Sequence, residues 1–227
     1  MSDAFILLSG PSINNLTQEE KEYIQSCTTI SANRYLCFQD MIGIKPDYHI
    51  YVDQDQKTKA ILRESINKYG DNKLKFYCNQ MHKDFLDTLG ENNWSVNILD
   101  KYSYSSFAQS LNERLFWCSI AGMAINLCHI LVEENTIIKI VGMDGGLINH
   151  FWINQMKDNP EKFSKDAKQN LDYSEKNNHE VCNWWNETTT RIINKGLEKK
   201  NISFYNCNKD SYFVKSELHL FKPILNR

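Results

Sequence analysis

Short, wholly apolar runs alternate along this chain with longer amphipathic stretches. Phe5-Ile6-Leu7-Leu8 is apolar at every position and stops abruptly at Ser9-Gly10-Pro11-Ser12. A strand of a parallel sheet reads this way, because helices cover both of its faces. Thr17 with Glu20 three residues later is a capping-box pattern and predicts a helix to about Ser26. Residues 28–32 predict a second strand ending at Asn33, and Gly43-Ile44-Lys45-Pro46-Asp47 a turn. Residues 48–52 predict a third strand, ending at Asp53-Gln54-Asp55. Residues 57–68 read as a helix and 74–78 as a strand ending at Asn79, while 80–112 are aromatic and less regular. Residues 119–132 are apolar nearly all round, which predicts a buried helix. The clearest buried strand is 136–141, ending at Gly142-Met143-Asp144-Gly145-Gly146. Residues 147–178 are polar and weakly patterned and read as a lid-like insertion. An amphipathic helix over 180–199 and a strand over 202–206 complete the pattern, with Trp184 and Trp185 read as packing residues.

Strands alternating with helices predict an α/β fold, with a Rossmann-like, mainly parallel sheet flanked by helices. The chain of 227 residues is read as a single domain, 1–227, with 147–178 as its lid. In open parallel sheets the ligand sits beyond the carboxyl ends of the strands. Here those ends carry Ser9-Gly10-Pro11-Ser12, Asn33, Asp53 and Asp55, Asn79, and Gly142-Met143-Asp144. Small, polar and acidic residues thus collect where a nucleotide would bind.

Composition narrows the classes. A formal net charge of -2 and a pI near 6.3 argue against nucleic acid as the partner. No apolar run approaches the length of a membrane span. The apolar stretch near the start runs only from Ala4 to Leu8 and follows Asp3, so the expected location is cytoplasmic. The seven cysteines are scattered without a CxxC, a pattern of reduced thiols rather than of a disulfide framework or zinc site.

The candidate motifs each have a plain structural alternative. The first turn lacks the GxGxxG and P-loop patterns, and Pro11 removes one backbone donor. Gly10 would let a ligand approach the backbone and Ser12 would donate a hydrogen bond; otherwise this is an ordinary strand-to-helix turn. Asp53-Gln54-Asp55 has the form of a DxD that holds Mg²⁺ or Mn²⁺ against a diphosphate, or else an N-cap beside a solvated acid. Asp144 suits a ribose or sugar hydroxyl, a metal, or a loop cap. His179, before the last helix, and His150 are the rival acid–base candidates, and both also fit ordinary surface positions. No GxSxG or HExxH occurs, which disfavours hydrolase and metalloprotease readings.

The order of these motifs resembles the small bacterial sialyltransferases of glycosyltransferase family 42, Rossmann-like enzymes that use CMP-sialic acid. The likeness rests on Leu8-Ser9-Gly10-Pro11-Ser12, Ser31-Ala32-Asn33-Arg34-Tyr35, Asp53 at the third strand end, Cys118-Ser119-Ile120-Ala121-Gly122, Gly142-Met143-Asp144, and His179 in a polar loop before the last helix and strand. The resemblance implies that Ser9, Gly10, Ser12, Asn33, Asp53, Ser119 and Gly142 line a nucleotide-sugar pocket. It implies that Asp144 helps hold the cytidine or donor sugar, and that His179 is the general base on the acceptor hydroxyl. The tyrosines that follow this element in the family are replaced by Gly145-Gly146, and Ser9 stands where the family has Asn. The resemblance implies sialic acid as the donor sugar, and these departures leave open a related nonulosonic acid or Kdo, or a donor that is not CMP-linked.

Archaeal-type hydroxymethylpterin diphosphokinases and motility-accessory-factor proteins resemble the chain too. They share the Gly-Pro-Ser turn, the Gly43-Ile44-Lys45-Pro46-Asp47 turn, an acidic pair at the next strand end and the late Gly-Met-Asp element. That likeness would give Asp53 and Asp55 to Mg²⁺–ATP. A non-catalytic glycan-associated binding protein on the same fold is the third reading. The expectation taken forward is a sialyltransferase-like glycosyltransferase of lipopolysaccharide or capsule biosynthesis, with no resident cofactor unless Asp53 and Asp55 hold Mg²⁺ or Mn²⁺. Its partners would be a nucleotide-sugar donor and a glycan acceptor. Peripheral association with the inner face of the membrane and homo-oligomerisation are both compatible with the sequence.

Overall fold

In a computed structural model, residues 2–52, 74–78, 95–99, 102–145, 150–153, 157, 161 and 185–225 are described. Seven strands form one sheet in the order β5-β4-β3-β2-β1-β6-β7. They are β1 (Asp3–Leu7), β2 (Thr28–Ala32), β3 (Tyr48–Tyr51), β4 (Lys75–Cys78), β5 (Ser95–Ile98), β6 (Ile137–Val141) and β7 (Ser203–Asn206). Every neighbouring pair is parallel. The helices are α1 (Gln18–Ser26), α2 (Gln39–Ile42), α3 (Ile120–Leu131), α4 (Glu187–Leu197) and α5 (Tyr212–Lys215). This is the expected α/β architecture with a wholly parallel sheet.

The apolar runs are strands because both of their faces are covered. Ala4 and Ile6 of β1, with Ile138 and Ile140 of β6, enter one core beneath α3 and α4. Phe5 and Leu7, with Val141, enter the other beneath α1. Between them, β1 and β6 bury Lys139 completely, paired with Asp3. The ammonium of Lys139 also donates to the Ile224 carbonyl at 2.7 Å, and Tyr23 donates its hydroxyl proton to Asp3 at 2.8 Å. The amino end of the sheet is thus tied to α1 and to the C-terminal segment.

Helix boundaries follow local chemistry. At α1, Thr17 accepts from the Glu20 amide while the Glu20 carboxylate accepts from the Thr17 amide, the capping box read in the sequence. α3 is buried continuously from Ala121 to His129, as its all-round apolarity predicts. Within it Asn126 pins the preceding loop: its Oδ1 accepts from the Ala108 and Phe116 amides, and its Nδ2 donates to the Ala108 carbonyl. The C-terminal carbonyls of α3 are capped by Lys200, whose ammonium donates to those of His129, Ile130 and Val132.

Two expectations change, the start of the last long helix and the stretch read as irregular. The helix read from residue 180 begins at Glu187, because Asn186 caps it by accepting from the Thr189 amide at 3.0 Å. Trp185 precedes that cap and is buried against Phe213 and His219. β5 lies within the stretch read as irregular. At the start of the expected lid, Phe151, Trp152 and Ile153 are fully buried in the second core, with Trp152 stacked on Phe38 at 4.4 Å. The rest of 147–178, apart from His150, Lys157 and Glu161, lies outside the described residues, as do the helix read over 57–68 and Trp184.

Candidate functional site

The strand order reverses at β1, with β2 on one side and β6 on the other. The chain leaving β1 crosses to α1 on one face of the sheet. α3 and α4 cover the opposite face. The loops after β1 and β6 therefore part here and leave a crevice, the usual ligand position in open parallel sheets. Ser9-Gly10-Pro11-Ser12 and Gly142-Met143-Asp144, far apart in the chain, become its two walls.

Hydrogen bonds close the walls on each other. The Gly10 amide donates to the Gly142 carbonyl at 2.8 Å, and the Leu8 amide to the Val141 carbonyl at 2.9 Å. The Ser12 amide donates to Asp144 Oδ2 at 2.8 Å, and Asn208 Nδ2 donates to Asp144 Oδ1 at 2.8 Å. The approach explains residue 10. A Cβ there would stand 2.5 Å from both Asp144 Oδ2 and the Gly142 carbonyl oxygen. Gly142 itself has φ 78°, a conformation that favours glycine.

Gly10 is thus required by the protein's own packing. The turn also differs from a phosphate cradle, which needs free amides. Pro11 has none, the Gly10 and Ser12 amides are engaged, and the Ile13 amide reaches the Gly10 carbonyl at 3.4 Å. What the turn offers a ligand is the hydroxyls of Ser9 and Ser12, both half-buried.

The β6 loop is fixed from β7 and α5. Asn206 Nδ2 and the Ser211 hydroxyl both donate to the Met143 carbonyl, at 2.6 and 2.9 Å. The Tyr212 amide donates to the Asp144 carbonyl at 2.8 Å. Asn206, Asn208 and Ser211 were missed in the sequence. The signal available was a run of turn-forming residues, 206–211, beyond a strand's carboxyl end. Beside this junction a groove of about 360 Å³ is lined by Ser12, Gly142, Asn208, Lys209, Asp210 and Phe221, among others.

The other expected residues fall as follows. Asn33, with φ 44°, turns the chain out of β2, and its Oδ1 accepts from the Val52 amide at 3.1 Å, joining the carboxyl ends of β2 and β3. Ser119 caps α3, its hydroxyl accepting from the Gly122 amide at 3.4 Å. Because α3 feeds β6 through a short loop, it runs against the strands, and its N-terminus lies on the carboxyl side of the sheet. His150 stacks on Trp152 at 4.4 Å and 11°, beside the Phe151 amide that donates to the Ser9 carbonyl. His179, Asp53, Asp55 and Asn79 lie outside the described residues.

One histidine that the sequence did not single out lies below the crevice. His49 of β3 is fully buried, its Nδ1 2.7 Å from the Ser31 hydroxyl, and burial pushes its pKa down to about 3. It stays neutral at physiological pH and does not suit general base work there. Among the described residues no group of three or more His, Cys, Asp or Glu is placed to hold a metal ion, and no helix is long and apolar enough to cross a membrane.

No protein-family model matches the sequence, and no curated protein gives a significant match. Solved structures do resemble the fold. The sialyltransferase CstII from Campylobacter jejuni, in complex with the substrate analogue cytidine-5'-monophosphate, aligns with a TM-score of 0.52 and 14% identity, over 100% of this chain and 87% of that one. Sialyltransferase CST-II in complex with a trisaccharide acceptor and CMP gives a TM-score of 0.48 and 13% identity, over 100% and 88%. The MAf glycosyltransferase from Magnetospirillum magneticum AMB-1 gives 0.45 and 18%, over 65% of this chain. The match spans 23% of the length of that MAf protein. At these identities the likeness to CstII establishes a shared fold.

Proposed function

We propose that the chain is a glycosyltransferase that takes a sugar from a nucleotide donor, CMP-linked, and passes it to a surface-glycan acceptor. The observation that carries this reading is the crevice where the strand order reverses, built from Ser9, Gly10, Ser12, Gly142 and Asp144 and flanked by Asn33 and Ser119. The fold shared with a CMP-bound sialyltransferase supports the choice of nucleotide. In this reading Ser9, Ser12, Asn33 and Ser119 face the donor, with Asp53 joining them at the end of β3.

His179 takes the proton of the acceptor hydroxyl as that oxygen attacks the anomeric carbon. The bond from that carbon to the CMP phosphate oxygen breaks, and its electron pair leaves with the phosphate. In the turn after β1 the Gly10, Ser12 and Ile13 amides are already bonded and Pro11 has none. The negative charge of the phosphate is better met by the Ser119 hydroxyl and the N-terminus of α3.

A thermal-shift series with CMP, CDP, UDP, GDP and ATP, each with Mg²⁺ and with EDTA, tests the reading. A nucleotide at about 100 times its Kd adds about 2.7 kcal/mol, a shift of a few degrees for a chain this long. Stabilisation by CMP that survives EDTA is expected. Stabilisation by ATP only with Mg²⁺ would move the assignment to a diphosphokinase with Asp53 and Asp55 on the cation. His179→Ala should abolish transfer and keep CMP binding. Retained turnover would remove the base assignment.

A further inference from the structure

We infer that Asp144 serves the nucleotide pocket as an internal buckle rather than as a ligand contact, and that Asn208 is a positioning residue of that pocket. The inference rests on the crevice being the nucleotide site.

The carboxylate of Asp144 is buried, at 8% exposure, and both of its oxygens are taken by protein donors. Oδ2 holds the Ser12 amide and so fixes the turn after β1. Oδ1 holds the side-chain amide of Asn208, from the loop after β7. Three loops therefore meet on one side chain, Ser12 lying 132 positions and Asn208 64 positions from Asp144. Among the described residues no cation pairs with it. Hydrogen bonds from neutral donors to a carboxylate are charge-assisted, short and directional, which suits a part that sets geometry.

Asn208 is fixed in turn. Its Oδ1 accepts from the Asp210 backbone amide at 3.0 Å, and its backbone N–H donates to Asn206 Oδ1 at 2.9 Å. Asn206 also holds the Met143 carbonyl. The Asn208 side chain can thus present only its NH₂ group to Asp144. A carboxylate accepting from an amide on one side and a backbone N–H on the other is a polarity that can be exchanged. With Asp144→Asn and Asn208→Asp together, the amide at position 144 still accepts from the Ser12 N–H through its oxygen. Its NH₂ donates to the new carboxylate at position 208, which can still accept from the Asp210 amide. The buckle survives while the charge moves to the far side of the junction.

That exchange is the test. Amide hydrogen exchange on the unliganded protein reads the buckle, and isothermal titration with CMP reads the pocket. Asn208→Ala should speed exchange at the Ser12 amide and weaken CMP about tenfold or more, the loss of a hydrogen bond to a charged group. Asn208→Asp alone sets two carboxylates against each other. Its CMP affinity should fall as well. The exchanged pair should restore both Ser12 protection and CMP affinity to within about threefold of the parent. Restored protection without restored affinity would overturn the inference, because the Asp144 charge would then be needed by the ligand. Unchanged Ser12 exchange in Asn208→Ala would also overturn it. Should the parent protein bind no nucleotide, the functional reading falls, and the exchange data still decide whether the buckle exists.

Discussion

The two ends of β1 and β6 hold buried carboxylates in opposite ways. At the amino end Asp3 is neutralised by Lys139 and accepts from Tyr23, in a pocket closed by Phe5 and the C-terminal segment. At the carboxyl end Asp144 is held by neutral donors alone, Ser12 and Asn208. A paired charge surrounded by aromatic rings locks the strands to their neighbours and leaves nothing over for a ligand. A carboxylate held by dipoles at the mouth of a crevice ties three loops to one another. The same residue type on the same two strands does structural work at one end and site-building work at the other.

Removing the cation should break the comparison most strongly. Lys139→Met leaves Asp3 buried with only Tyr23, and a chemical denaturation curve should lose about 3–5 kcal/mol. Adding Asp3→Asn should recover part of that loss, because the uncompensated charge is gone. At the other end, Gly10→Ala forces a methyl against Asp144 and the Gly142 carbonyl, with an expected cost of about 1–3 kcal/mol. CMP binding should fall beyond what that loss of stability explains. An unchanged affinity would mean that the turn does not shape the pocket.

Acid should loosen the carboxyl end. His219 is buried among Trp185, Phe204 and Phe213, neither ring nitrogen has a hydrogen-bond partner among the described residues, and burial pushes its pKa down to about 4. The fold keeps the ring neutral, whereas the unfolded chain takes a proton below its ordinary value of about 6.5. Stability therefore falls as pH drops from 6.5 towards 4, by at most about 1.4 kcal/mol per pH unit for this residue, and levels off below. His219→Phe should flatten that slope in denaturation curves recorded at pH 7 and pH 5. An unaltered slope would assign the acid sensitivity elsewhere, with His49 as the next group. The smallest expected effect is at α1, where Thr17→Ala should cost about 1 kcal/mol and leave CMP binding unchanged.

The parts legible in the sequence are those whose cause is local. β1 and β6 announce themselves because strands covered on both faces read as mostly apolar runs, and Thr17 and Glu20 announce α1 because the capping box spans only four residues. β5 was hidden because Ser95-Val96-Asn97-Ile98 is short and alternates, within an aromatic stretch. The helix start at residue 180 was read too early because the helical apolar spacing continues back through Trp185, and Asn186 with Glu187 was the overlooked stop signal. At the site, Gly10 and Asp144 were picked out for their places at strand ends. Their mutual contact was not legible, nor was the part of Asn208, since each partner is fixed by the tertiary fold.

The place of β1 in the sheet has a consequence for how the chain is made. β1 is central, yet its partner β6 pairs Asp3 with Ile137, so one edge of an apolar strand waits for more than a hundred further residues to be synthesised. At ribosomal speeds that interval is on the order of ten seconds. During it β1 can zip only to β2, and its other edge stays open to any strand that passes. Folding on the ribosome would have to proceed outward from the β1–β2 pair, with β6 and then β7 added late. The crevice is completed late too, because its second wall comes only with β6 and Asn208 only after β7.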